Sequence, residues 1–332
     1  MASRMTSPGR RRVLEVGAVA AAVLALLLWW LTPPDEPPPP SGRITVATGV
    51  PTGVYAKYGD LLKQDLAHDL PALDVRLSHS QGSLDNLQRL TGGRADFTLA
   101  TADAVAAYLE EGRPGADRLR ACARLYDDYM QLVTRRDSPV QSARDLRGLR
   151  VGVGSDASGV QLITRRLLQA AGLDFGKDIV AVRVGIDRMP ELLARGEIDA
   201  FFWSGGLPTN AVQALGRRTP IRLVQLGDLV GPLHSLGRLT QYYRAAVMPA
   251  DAYPELNASQ VVKTIAVANL LVTVQDTDPD LAESVTRTVI RSRDRIGTVV
   301  HAAQKVDLRS AIFTHPLPLH EGARRYYVSV KP

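Results

Sequence analysis

From Arg43 onward the chain alternates between two kinds of apolar spacing. Ile44–Thr48 is a short β-type run closed by Gly49, and Tyr55–Leu66 follows with Leu61, Leu62 and Leu66 on one helical face. The same order recurs as Leu73–Leu77 then Leu84–Leu90, and as Asp96–Ala100 then Ala102–Leu109. Leu119–Val133 predicts two strand pieces around Tyr126, Asp127, Asp128 and Tyr129. Further strands are predicted at Leu149–Val153, Ile179–Val184, Asp199–Trp203 and Ile221–Gln225. Helices are predicted between them at Gly159–Ala171, Met189–Ala194 and Thr209–Leu215. Ile265–Val274 is apolar and β-rich, and Pro279–Val300 has the spacing of one long helix.

Strands alternating with helices indicate βαβ units and a mostly parallel sheet. The pattern restarts near Val151, after the stretch Pro139–Gly148, so two α/β lobes are expected. Ligands of such folds sit beyond the carboxyl ends of the strands, which makes each following loop a candidate site.

The N-terminal segment follows a different rule. Arg10, Arg11 and Arg12 precede an apolar run from Val13 to Leu31. After Glu15 about 16 residues are uncharged, spanning about 24 Å as a helix, close to a hydrocarbon core of about 30 Å. Trp29 and Trp30 end the run where amphipathic rings favour the interface, and the arginines keep their side cytoplasmic. The expectation is a cytoplasmic basic segment at 1–12, a membrane anchor or signal at 13–31 and a Pro-rich linker at 32–42, with the rest outside the cell. Small residues for signal cleavage are missing after the run, although a secreted form and a twin-arginine export signal remain open. One spanning segment excludes a channel or multi-span transporter.

Composition narrows the chemistry. The 332 residues carry 40 Lys+Arg against 34 Asp+Glu, a net charge of +6 spread along the chain, which gives no reason to expect nucleic acid as a partner. One cysteine, Cys122, excludes an intramolecular disulfide and thiolate metal sites. The six histidines lack metal-ligand spacing, so no metal and no cofactor is expected. Gly152, Gly154 and Ala157 fit a loose dinucleotide fingerprint, but no acidic residue ends the next strand. Neither a Gly-x-Ser-x-Gly elbow nor a Gly-Lys-Ser/Thr phosphate loop occurs. Asp127 and Asp128 are expected on opposite faces of their strand, in solvated or hinge-adjacent positions.

Five loops share one chemistry. The first holds Thr48, Gly49, Thr52, Gly53 and Tyr55; the second holds Gly82 and Ser83, with Asn86 one turn into its helix. The third is Thr101, Ala102 and Asp103; the fourth runs from Gly154 to Ser158 and Gly159; the fifth is Trp203, Ser204, Gly205 and Gly206. Each alone is ordinary turn and cap chemistry. Together, glycines admit backbone amides to a ligand and the helix starts aim positive ends at it, so both lobes converge on one small polar molecule.

On these loops the sequence resembles the TAXI family of solute-binding proteins, the extracytoplasmic subunits of TRAP-type transporters. The matching segments are ITVATGVPTGVYAKYGDLL, SQGSLDNLQRLTGGRADFTLA, DLRGLRVGVGSDASGV, GEIDAFFWSGGLPTNAV and PLPLHEGARRYY. The resemblance implies a type II periplasmic-binding-protein fold, with two α/β lobes joined by two crossing segments near Val133–Arg135 and Tyr243–Val247. Lobe 1 would comprise 43–134 and 245–332, and lobe 2 135–244. It implies a non-enzymatic, monomeric subunit that binds a small carboxylate, such as an amino acid or organic acid, for a TRAP-type membrane permease. Gly49, Gly53, Tyr55, Gly82, Ser83, Asn86, Asp103, Ser158, Gly159, Gly205 and Gly206 fall on its motifs. Thr101-Ala102-Asp103 departs from the common Gln-Ser-Asp, Val160 replaces a common Thr, and Asp156 adds a carboxylate near a helix start. An anchored sensor, or an enzyme on the same fold using Asp103 with Asp156, are the alternatives.

Overall fold

The computed structural model describes residues 39–256, 261–300, 303 and 307–331; the expected anchor and most of the linker lie outside these. The first half supplies β1 (Gly42–Ala47), α1 (Val54–Asp69), β2 (Leu73–Ser78), α2 (Ser83–Thr91), β3 (Phe97–Thr101), α3 (Ala102–Glu110) and β4 (Leu119–Arg135). Next come β5 (Arg150–Gly152), α4 (Gly159–Ala170), β6 (Val180–Val182), α5 (Met189–Ala194), β7 (Ala200–Gly205), α6 (Asn210–Gly216) and β8 (Ile221–Val224). The chain ends with α7 (Val230–His234), β9 (Tyr243–Met248), β10 (Val262–Val274), α8 (Pro279–Arg291), α9 (Arg293–Gly297), α10 (Leu308–Ala311) and α11 (Glu321–Ser329).

The strands run in the order β2-β1-β3-β10-β4-β7-β5-β6, with β8 beside β4 and β9 beside β10. β1 pairs in parallel with β2 and β3, and β5 pairs in parallel with β6 and β7. These are the two βαβ halves that the alternation predicts. Between them β4 and β10 run antiparallel to each other and to their other neighbours.

Hydrophobic burial follows the same division. Ile44, Phe97, Leu125, Leu271, Val285 and Tyr326 belong to one cluster, joining residues 44–126 to residues 271–330. Met130, Leu132, Val151, Leu167, Phe202 and Ile265 belong to another. In α8, Ala282, Val285 and Val289 are buried at helical spacing. Its start is set by Asp278, whose carboxylate accepts from Asp280 N and Leu281 N ahead of the first turn.

Three features depart from the sequence reading. β4 is one continuous strand, buried at every position from Ala121 to Thr134 except Arg124. The expected break instead becomes a register shift opposite Asn269. The long helix is interrupted at Ser292, whose ψ of −4° opens the ladder between α8 and α9. The strand shared with both lobes beside β4 is β10, not Tyr243–Val247, which forms β9 and pairs with residues 262–267 of β10. Tyr253 and Leu256, expected in lobe 1, pack with Phe201 and Trp203.

Candidate functional site

The carboxyl ends of all six parallel-paired strands meet at one cavity of about 60 Å³. By this measure a water molecule needs about 10–15 Å³, so the space suits a few waters or a small solute. From the first lobe come Gly49 and Gly53 after β1, Tyr55 in the first turn of α1, Gly82 and Ser83 at the start of α2, and Thr101 at the end of β3. From the second come Ser158 and Gly159 at the start of α4, with Trp203 and Ser204 near the end of β7. These ten are residues that the loop argument singles out.

The other seven lie outside the cavity wall, each for a local reason. Thr48 is fully buried beneath it, with its carbonyl accepting from Ser80 Oγ at 2.8 Å. Asn86 is held inside by its own bonds, donating to Leu99 O at 2.8 Å and accepting from Ser80 Oγ at 2.6 Å. Ala102 is buried in the first turn of α3. Thr52 and Gly206 line a separate recess beside Lys57 and Pro208. Gly205 sits against the Trp203 indole, where a Cβ would lie 2.5 Å from Nε1. Asp103 is drawn away by a different partnership. Its Oδ2 accepts from Tyr243 OH at 2.6 Å, and Arg166 Nη1 lies 3.5 Å from the carboxylate and 2.8 Å from the same tyrosine oxygen. This triad ties α3 to α4 and β9. Asp156, the proposed enzymatic partner of Asp103, is largely exposed; it accepts from Gln161 Nε2 and pairs with Arg183. The two carboxylates therefore do not form an acid–base pair.

Eight wall residues were not among the candidates. Gly154 and Ser155 belong to the fourth loop, and Gly185 follows β6, so strand-end position alone marks all three. Gln81 and Val50 sit in the first two loops, while Val54 and Val160 are helix-start residues whose apolar side chains carry no signal for a polar site. Asp128 is the eighth. Asp127 and Asp128 do face opposite ways, but both are buried rather than solvated. Asp127 pairs with Arg124 and Arg244 in a separate cavity, whereas Asp128 lines this one.

Hydrogen bonds knit the wall together. Tyr55 OH lies 3.1 Å from Ser83 Oγ and donates to Asn269 Oδ1 at 2.5 Å. Ser83 Oγ in turn accepts from Thr101 N at 3.2 Å. Ser158 caps α4, its hydroxyl accepting from Gln161 N at 3.1 Å and donating to Ser155 O at 2.7 Å. By contrast α1 and α2 begin at Gly53 and Gly82, which offer no side-chain cap, so first-turn N–H groups other than that of Asp85 are left for a ligand. The lobes touch around the cavity, with Asp85 N donating to Ala157 O at 3.3 Å. Glycine is required where they meet. Gly82 has φ +126°, and a Cβ on Gly159 would lie 3.1 Å from Ser83 Oγ and 3.3 Å from Thr101 Oγ1. Burial, reinforced by the charge of Asp128, pushes the Tyr55 hydroxyl well above its ordinary range, so it remains a neutral donor.

Residues 46–329 match the NMT1-like family. The chain belongs to that family. Among solved structures it is similar to one described as a periplasmic transporter, at 14% identity and TM-score 0.56, covering 87% of this chain and 93% of the other. It is similar to a putative L-cystine ABC transporter from Listeria monocytogenes, at 15% identity and TM-score 0.50, covering 79% and 97%. An ancestral arginine-binding protein bound to arginine gives 14% identity and TM-score 0.50, covering 78% and 98%. At these identities the likeness is one of fold, and the fold is that of bilobal periplasmic solute-binding proteins. Among the described residues of this NMT1-like chain, no helix is long and apolar enough to cross a membrane, and no cluster of His, Cys, Asp and Glu is placed to hold a metal.

Proposed function

We propose that this NMT1-like protein is the extracytoplasmic solute-binding subunit of a TRAP-type transporter of the TAXI kind. It holds a small carboxylate, an amino acid or organic acid, between its lobes and delivers it unaltered to a membrane permease. The observation that carries this reading is the cavity on which the strand-end loops of all six parallel-paired strands converge, with the uncapped starts of α1 and α2 beside it. Main-chain N–H groups at helix starts recognise an anion without a basic side chain. A solute touching both lobes favours their closed arrangement by its extra affinity for that arrangement. Residues 13–31 anchor the chain to the cell membrane, which raises its effective concentration near the permease.

The test is thermal stabilisation of the purified full-length chain by amino acids and small organic acids, repeated with Ser158→Trp. The indole would fill the cavity at a position whose hydroxyl caps α4, a loss of about 1 kcal/mol, and also donates to Ser155 O. Solute-dependent stabilisation in the native chain and none in a folded Ser158→Trp variant is the expected result. Equal stabilisation of both would place the solute elsewhere.

A further inference from the structure

Asp128 is the one ionisable carboxylate among the residues lining this cavity, and it is 4% exposed. It sits on β4 next to Tyr129, which pairs with Ala266 of β10 on one side and Gly205 of β7 on the other. It thus occupies the strand that both lobes share. One oxygen, Oδ2, takes a long hydrogen bond of 3.4 Å from Ser204 Oγ. The other, Oδ1, is buried without a well-formed hydrogen bond; the polar side chain beside the carboxylate is the Asn269 amide, whose Nδ2 is likewise without a well-formed bond. No Arg, Lys or His is among the residues that line the cavity. Asp127, its neighbour in sequence, has two arginines to itself. A buried carboxylate left half-satisfied costs free energy, and the cost is recovered when a cationic donor arrives. The remaining wall supplies what such a carboxylate does not: hydroxyls at Tyr55, Ser83 and Ser155, and helix-start N–H groups from α1 and α2.

Resting on the solute-binding reading above, we infer that Asp128 is a specificity residue for a protonated amine, so that the solute is a zwitterion carrying an ammonium group beside its carboxylate. The ammonium donates to Oδ1 of Asp128 while the carboxylate accepts from the helix-start amides. An acid without the amine leaves Oδ1 unpaired and sets two negative groups in one small cavity, which is disfavoured. The burial of Asp128, which pushes its carboxyl up to about 7, fits a group whose charge awaits a partner.

The experiment uses matched pairs on the full-length chain at pH 8: alanine with propionate, aspartate with succinate, glutamate with glutarate. Binding is read by calorimetry, for the native protein and for Asp128→Asn. The expected result is that the amino member of at least one pair binds and its deaminated partner binds at least about tenfold more weakly, with Asp128→Asn levelling the pair. Pairs that bind equally, or a preference for the deaminated acid, overturn the amine assignment and leave solute binding standing. If no member of any pair binds, recognition of small acids fails and the amine assignment falls with it. Should Asp128→Asn not fold, the native protein's preference within the pairs decides alone.

Discussion

Asp128→Asn also makes a prediction that needs no solute. Burial raises the carboxyl from an ordinary 3.8 to about 7; the negative charges of Asp127 and Asp103 add to the shift, and the polar side chains of Asn269 and Ser204 offset part of it. A carboxyl that titrates higher when folded favours the folded state below its unfolded value, and that advantage is lost as pH rises through the folded value. Linkage gives a penalty on the ionised form of about 0.5 kcal/mol at pH 4, growing to about 4 kcal/mol at pH 8. Asparagine keeps the shape and never ionises. The solute-free variant should therefore exceed the native protein by up to about 4 kcal/mol at pH 8, a rise in melting temperature on the order of 10 °C. The gain should shrink to under about 1 kcal/mol at pH 4. Thermal unfolding followed by circular dichroism from pH 4 to 8 measures this. A variant no more stable than the native chain at pH 8, or a difference that does not change with pH, would refute the idea of an uncompensated carboxylate in the cavity.

Two further substitutions probe the contact between lobes. Gly159→Val places carbon against Ser83 and Thr101 across the cavity mouth; solute affinity should fall at least about tenfold. Small-angle scattering should then show the lobes held apart, and a native-like profile with unchanged affinity would contradict the closure geometry. Arg166→Ala leaves the buried Asp103 carboxylate with Tyr243 alone, and breaking a buried pair in this way costs about 3 kcal/mol. Urea denaturation should show that loss, and adding Asp103→Asn should restore part of it; purely additive losses would mean that the two side chains act independently.

Much of the architecture was legible because local rules decide it. The βαβ alternation places β1 to β3 and β5 to β7, and the strand-end rule then points to their loops, from which ten of the seventeen candidate residues line the cavity. What was not legible depends on distance in sequence. Asp103 fits a helix-start acidic site until Arg166 and Tyr243, 63 and 140 residues further on, take its carboxylate. Asp128 looks like half of an exposed pair because strand alternation gives its face but not what covers that face. The continuity of β4 is likewise a tertiary result. Asp127 and Asp128 weaken it locally, yet pairing with β10 and β7 holds it extended.

The two strands common to both lobes carry a consequence for biogenesis. The second lobe's main core draws on residues 130 to 267, whereas the first lobe's core joins residues 44 to 126 with residues 271 to 330. A nascent or translocating polypeptide thus finishes the later-encoded lobe while the earlier one still awaits its closing segment. Truncation near residue 270 should leave a half-built N-terminal body for proteases, whatever the fate of the portion that follows it.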